Sequence, residues 1–339
     1  MRCWIALVAT VAVLASVSGD AAAVRIDREF HKSFDVQEGH RLVVVSGDGD
    51  LTITPWDEDA IDISVRYLAD IRKVGFGGPP DFDVEFDSGG DFVRVRGLLK
   101  ATGAAVFQSI HVHEYTYTIK APPYVLLEID GDDGDVHITD WRAEIDCSID
   151  DGDLTLDGFE GGSLDVGVDD GDIHLVEASG DIEISADDGD VYLRGCAPVS
   201  AAVSLDDGDF VATACGGDFS VATDDGDITL DLENAGTVSV NADDGDIEVS
   251  IASGEAARVE VSADDGNVVV SLPGGASYSY MITTDDGCVR ADLPERDEHV
   301  HESHIVRGKV RGGGPTVRIG TNDGDVVPVS YTHLTLPTN

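Results

Sequence analysis

The chain has 339 residues, and its 67 Asp and Glu against 21 Lys and Arg give a formal net charge of -46. That balance excludes phosphate recognition on nucleic acid and docking on anionic lipid headgroups, both of which need a basic surface. A hydrophobic content of 42% excludes a disordered acidic tail, and 39 Gly with 50 Asp against 17 Glu favours turns over helices.

In chain order, Met1 and Arg2 precede an apolar run over residues 4–17, followed by small residues. This is the pattern of a secretory signal peptide over residues 1–23, with cleavage after Gly19 or Ala23. The run is shorter than the ~20 residues that span a bilayer. The expected product is exported, to the periplasm, the cell surface or the medium, with no transmembrane segment. Residues 24–131 are rich in alternating apolar runs, such as Leu51/Ile53, Ile61/Ile63/Val65 and Val125/Leu127/Ile129. They read as strands that begin or cap the regular repeats beyond residue 131.

From Asp132 the tetrapeptide Asp-Asp-Gly-Asp recurs, starting at 132, 150, 169, 187, 206, 224 and 243. Variants ending in Asn267 and Cys288 start at 264 and 285, a late Asn-Asp-Gly-Asp starts at 322, and an early Gly-Asp-Gly-Asp starts at 47. A period of 18–21 residues marks stacked repeats. Each unit holds two runs alternating at period two, such as Ile173/Leu175 and Ile182/Ile184, separated by turn residues. One such unit cannot bury its apolar face alone, so the reading is an all-β parallel β-solenoid of 18–21-residue coils over residues 132–326. Residues 293–316, charged and Gly-rich, read as a surface loop over the far end. Residues 327–339 break the pattern and read as a tail foreign to the fold.

Stacking in register aligns the turn acids in columns. The candidate cation ladder comprises Asp150, Asp151, Asp153, Asp169, Asp170, Asp172, Asp187, Asp188, Asp190, Asp206, Asp207 and Asp209. Carboxylates ~4.8 Å apart repel by roughly 1 kcal/mol in water, and Ca²⁺ is the natural counter-ion for such oxygen ligands. The order differs from the Gly-rich calcium β-roll nonapeptide, and Asp-Gly also suits tight turns without any metal. His-Val-His-Glu occurs at residues 111–114 and 299–302, where two His on one strand face could grip Zn²⁺ or simply be exposed polar residues. Cys196 and Cys215 each lie nine residues after a turn, at 187 and 206, so neighbouring coils bring them together for a disulfide. Cys147 aligns with the inward Ile184 as a buried free thiol, and Cys288 replaces the last Asp of a turn.

The segments at residues 49–65 (GDLTITPWDEDAIDISV), 117–122 (YTIKAP), 266–276 (GNVVVSLPGGA), 284–287 (TDDG) and 312–325 (GGGPTVRIGTNDGD) resemble the bacterial putative-adhesin family of exported β-strand-repeat proteins, a domain-of-unknown-function family. The likeness spans about residues 30–326. The family's usual Ser-Gly-Asp turn is Asp-Asp-Gly-Asp here. The resemblance implies the fold and supplies no catalytic residues. No nucleophile elbow, nucleotide loop or catalytic triad order is present. The expected role is a non-enzymatic scaffold with adhesin-like surface or glycan binding, monomeric, its acidic turns holding cations. The alternative is a solenoid polysaccharide lyase or hydrolase assisted by Ca²⁺, which would show one coil unlike the rest.

Overall fold

The structure, a computed structural model, describes residues 22–75, 81–100, 105–254, 258–290, 293, 296–302 and 304–331. The expected signal segment, up to residue 21, and the end of the expected tail, 332–339, lie outside the described residues. The described residues are all-β, with no helix.

Every repeat contributes two strand segments that bury alternate residues, as the period-two pattern requires. Ile173, Leu175, Ile182 and Ile184 are all buried. Each segment pairs in parallel with its equivalent in the next repeat. Along one wall Val136, Leu154, Ile173, Val191, Phe210, Ile228, Ile247 and Val268 form one inward row. Along the other, Leu127, Ile145, Leu164, Ile182, Ala201, Phe219, Val238 and Val259 form another. The core lies between these walls, one continuous apolar cluster along the stack.

Two corners join the walls. At one, the Asp-Asp-Gly-Asp turn places Gly171 at φ +150° and Gly189 at φ +147°. A Cβ on Gly189 would stand 2.1 Å from the carbonyl oxygen of Gly171 in the coil below, so both conformation and stacking demand glycine. At the other corner Asp140, Gly158, Glu177, Gly195 and Ala214 occupy the left-handed region, φ 48–81°.

Both ends depart from chain order in the same way. The rung Arg41–Gly47 and Asp50–Pro55 packs directly on Leu126–Gly131 and Val136–Trp141. Its other side is taken by Phe92–Lys100 and Ala105–Ala121, also parallel. At the far end Thr316–Asp323 slots between Arg258–Asp265 and Tyr278–Asp286. The outermost strands are antiparallel. Ala60–Gly75 covers Ala105–Ala121, Ala22–Asp35 covers Ala60–Gly75, and Asp81–Ser88 covers Phe92–Lys100. Antiparallel strands that close a parallel stack cover edges that would otherwise template aggregation. An aromatic cluster packs beneath the first cap, with Tyr67 stacked on Phe82 at 4.1 Å and Tyr115 edge-on to both.

Two expectations are corrected. Residues 293–316 are not a loop: Arg296–Glu302 and Ile305–Val310 form an antiparallel pair on Tyr278–Asp286, with Val306 and Val310 buried. Dense charge and glycine hid the alternation. The break in pattern after 326 does not end the ladder, because Val326–Tyr331 pairs in parallel with Val268–Pro273.

Candidate functional site

The turn acids separate into columns with different jobs. In the column of last positions, each carboxylate accepts the backbone N–H of its equivalent in the next coil. Asp153 accepts from Asp172 at 2.9 Å, Asp172 from Asp190 at 3.0 Å, Asp190 from Asp209 at 2.8 Å and Asp209 from Asp227 at 2.9 Å. The chain of bonds continues through Asp227, Asp246 and Asn267 to Asp325, which accepts from Cys288 at 3.0 Å. The turn leaves this N–H without a partner in the neighbouring backbone, and a short side-chain acceptor supplies one. This explains the two exceptions in the repeat. Asn267 keeps an acceptor oxygen, so it substitutes for Asp. Cys288 sits in the terminal turn, where no further described coil needs an acceptor.

The column of second positions is held differently. Asp151, Asp170, Asp188, Asp207, Asp225, Asp244, Asp265, Asp323 and Asp286 are in direct register. Desolvation, then the charges of the carboxylates above and below, raise the pKa of Asp133, Asp170, Asp207, Asp244 and Asp323 from the ordinary carboxylate value. In the first column Asp150, Asp169, Asp187 and Asp206 are exposed. Near the far end both outer columns are relieved: Asn322 donates to Asp264 at 3.0 Å, and Arg290 pairs with Asp325 at 3.2 Å.

Among the described residues, no three His, Cys, Asp or Glu side chains converge so as to hold a metal ion. The turn acids are therefore stacked singly, and the last-position column already spends an oxygen on backbone N–H groups. His111 and His113 do share a neighbourhood, with ring centroids 4.6 Å apart, and His113 bonds Asp70 at 2.9 Å. The side chains of the second His-Val-His-Glu lie outside the described residues.

Two features escaped the sequence reading. Glu128, Asp146, Asp165 and Glu183 stand in register on the outer face of one wall, a carboxylate stripe separate from the turns. Desolvation and the neighbouring Asp165 and Glu128 raise the pKa of Asp146, while Arg41 opposes them and pairs with Glu128 at 2.8 Å. Each member lies four residues before a turn, a shared phase that by itself makes no motif. The second feature is a groove of about 510 Å³ along the left-handed corner, lined among others by Trp56, Asp57, Asp140, Arg142, Glu160 and Glu177. Trp56 is half-buried, and its indole N–H donates to the Ala60 carbonyl at 2.6 Å, which fixes the ring. Arg142 faces Glu160 at 3.6 Å.

Cys196 and Cys215 are adjacent on neighbouring coils, both buried, both free thiols. Cys147 is a buried free thiol in the other wall, its pKa pushed by burial to about 12.

The family profile of Toastrack DUF4097 matches residues 124–215 and 211–327, which together cover more than half of the chain. The chain belongs to this Toastrack family. The matched region is the parallel stack with its Asp-Gly turns. The chain is also similar to crystal structures of a putative cell adhesion protein from Clostridium sporogenes ATCC 15579 (12% identity, 90% of this chain, 100% of that one, TM-score 0.22) and a putative adhesin from Bacteroides fragilis NCTC 9343 (13%, 90% and 97%, TM-score 0.34). A putative adhesin from Parabacteroides merdae ATCC 43184 is similar at 13% identity, 89% of this chain and 96% of that one, TM-score 0.33. No curated protein matches. Among the described residues, no helix is long and apolar enough to cross a membrane.

Proposed function

We propose that this Toastrack chain is an exported, non-enzymatic β-solenoid that binds a glycan at a surface, with the corner groove as its binding site. The observation that carries the reading is the groove itself. It combines an anchored indole with an Arg and several carboxylates, the pairing of one apolar platform with a few polar groups that ligand sites use. The near-uniformity of the turns speaks against the enzyme alternative, since the described coils repeat almost the same acids and the last-position acid is engaged in a structural contact. The exposed Asp columns gather a diffuse cation atmosphere, so Ca²⁺ and Na⁺ both relieve their repulsion. A glycan array and a cell-wall pull-down with the full chain and its Trp56→Ala variant test the reading. Retention that falls at least tenfold in the variant, with an unchanged melting temperature, supports it. Equal retention by both chains, or none by either, sinks it.

A further inference from the structure

At the left-handed corner, one inward column runs through Trp141, Phe159, Ala178, Cys196, Cys215, Leu232 and Ile251, all buried. Apolar residues fill this column everywhere except at two adjacent rungs, where two thiols meet. The register there is direct. Gly195 N–H donates to the Thr213 carbonyl at 3.0 Å, and Gly216 N–H to the Cys196 carbonyl at 2.9 Å. These bonds bracket Cys196 and Cys215 and set them one inter-strand spacing apart, ~4.8 Å, within the ~4.4–6.8 Å that a disulfide spans. The sulfurs are within reach of each other's residues, since Cys196 N–H donates to Cys215 Sγ at 3.3 Å.

We propose that Cys196 and Cys215 are an oxidisable pair that closes into a coil-to-coil disulfide by exchange with a small-molecule disulfide such as oxidised glutathione. A groove of about 330 Å³ lined by Gly195, Ala197, Pro198, Gly216 and Gly217 lies over the pair, so a slight parting of the corner admits the oxidant. The thiolate of Cys196 attacks one sulfur of the oxidant and expels the other half as a thiolate. Cys215 then loses its proton to solvent and attacks the Cys196 sulfur, releasing the second half. Two protein thiols are oxidised by two electrons, and one external disulfide becomes two thiols. The step is the same with the two thiols exchanged, since in this adjacent pair a thiolate on one sulfur raises the pKa of the other. Cys147 sits in the opposite wall, in register with Val166 and Ile129, and Cys288 is exposed in the terminal turn. Neither has a thiol neighbour in the described residues.

The test holds the native full chain in a glutathione redox buffer, quenches it with an alkylating agent under denaturing conditions, and counts thiols by mass. The expected result is a loss of two thiols relative to a fully reduced control, with one linked peptide containing Cys196 and Cys215. Cys288→Ser should lose two thiols as well, and Cys196→Ala, which copies Ala178 of the coil below, should lose none. An unchanged count in the native chain, or a link through Cys147 or Cys288, overturns the proposal. Peptide mapping of the unsubstituted chain decides this even if a variant fails to fold.

Discussion

Replacing Asp172 by Ala removes the acceptor for the Asp190 N–H, and replacing it by Asn keeps that acceptor while removing the charge. Asp172 is half-buried and bonds Asp190 at 3.0 Å. A hydrogen bond to a charged group contributes about 1.5–3 kcal/mol, toward the lower end here because water can reach the turn. Against this stands repulsion from Asp153 and Asp190. At ~4.8 Å in water each neighbour costs about 0.9 kcal/mol, falling to about half that in 0.1 M salt. Asp172→Ala therefore loses about 1 kcal/mol net. Asp172→Asn should be neutral to about 1 kcal/mol more stable, since a neutral bond remains and the repulsion is gone. Asn267 already shows the geometry, with its amide donating to Asp246 at 3.0 Å while its oxygen accepts from Asp325 at 3.1 Å. Both variants lose the same charge, so the gap between them isolates the hydrogen bond at about 1–2 kcal/mol. Urea unfolding followed by far-UV circular dichroism, at low and high salt, measures it. Equal midpoints for the Ala and Asn variants would refute the acceptor role.

Three further outcomes rest on particular residues. Thr223 is buried, and its hydroxyl has no hydrogen-bond partner, whereas Thr321 in the same inward row donates to the Gly266 carbonyl at 3.0 Å. Thr223→Val should raise stability by about 1 kcal/mol, read as a higher urea midpoint at unchanged slope, and a lower midpoint would show a hidden partner. Ala214 holds φ 53° where the coils below use Gly195 and Gly158. Ala214→Gly relieves about 1–2 kcal/mol of left-handed strain against about 0.5–1 kcal/mol of added chain entropy, so a gain near 0.5–1 kcal/mol is expected in the same assay. The raised carboxyls Asp133, Asp170, Asp207, Asp244 and Asp323 bind protons more tightly folded than unfolded. Their contribution is fully present below the unfolded value of 3.8 and is lost as pH rises through the raised values. Asp27, Asp70 and Asp83, lowered chiefly by hydrogen bonds from Arg66, His113 and Lys100, act in the opposite sense and lose their contribution as pH falls through their depressed values. The melting temperature should rise on going from neutral pH to just above the ordinary carboxylate range, then fall in stronger acid. A monotonic decline from neutral pH would contradict the stacking of the second column.

The repeat was legible because burial alternates at period two and turn chemistry recurs. Ile173, Leu175, Ile182 and Ile184 declare their side of the sheet from spacing alone. The neighbouring Cys196 and Cys215 were legible for the same reason, since phase within a repeat fixes the rung. The division of labour among the turn acids was not legible as a whole, because three Asp in one turn look alike until hydrogen bonds are drawn. The signal was present only in the exceptions, Asn267 and Cys288. The stripe of Glu128, Asp146, Asp165 and Glu183 keeps one phase of the repeat, but its mixture of Asp and Glu among other surface acids makes no motif, so only the pairing of the strands brings it out. The corner groove draws Trp56 from one rung and Glu160 from another, a juxtaposition that no local pattern encodes.

The out-of-order rung at the far end governs how the chain can assemble as it emerges. From residue 126 to 273 the chain can zip one coil onto the last as it appears, but the next coil in space is 316–331, and the chain makes residues 278–310 first. The strand Tyr278–Asp286 and its partner Ile305–Val310 form a local hairpin-like unit that must wait, with one parallel edge open, while the growing stack keeps another. Arrival of Thr316–Asp323 closes both edges in a single threading step, like a keystone set last. A chain halted before residue 316 would carry two additional sticky margins, so synthesis has one late interval in which self-association competes with completion.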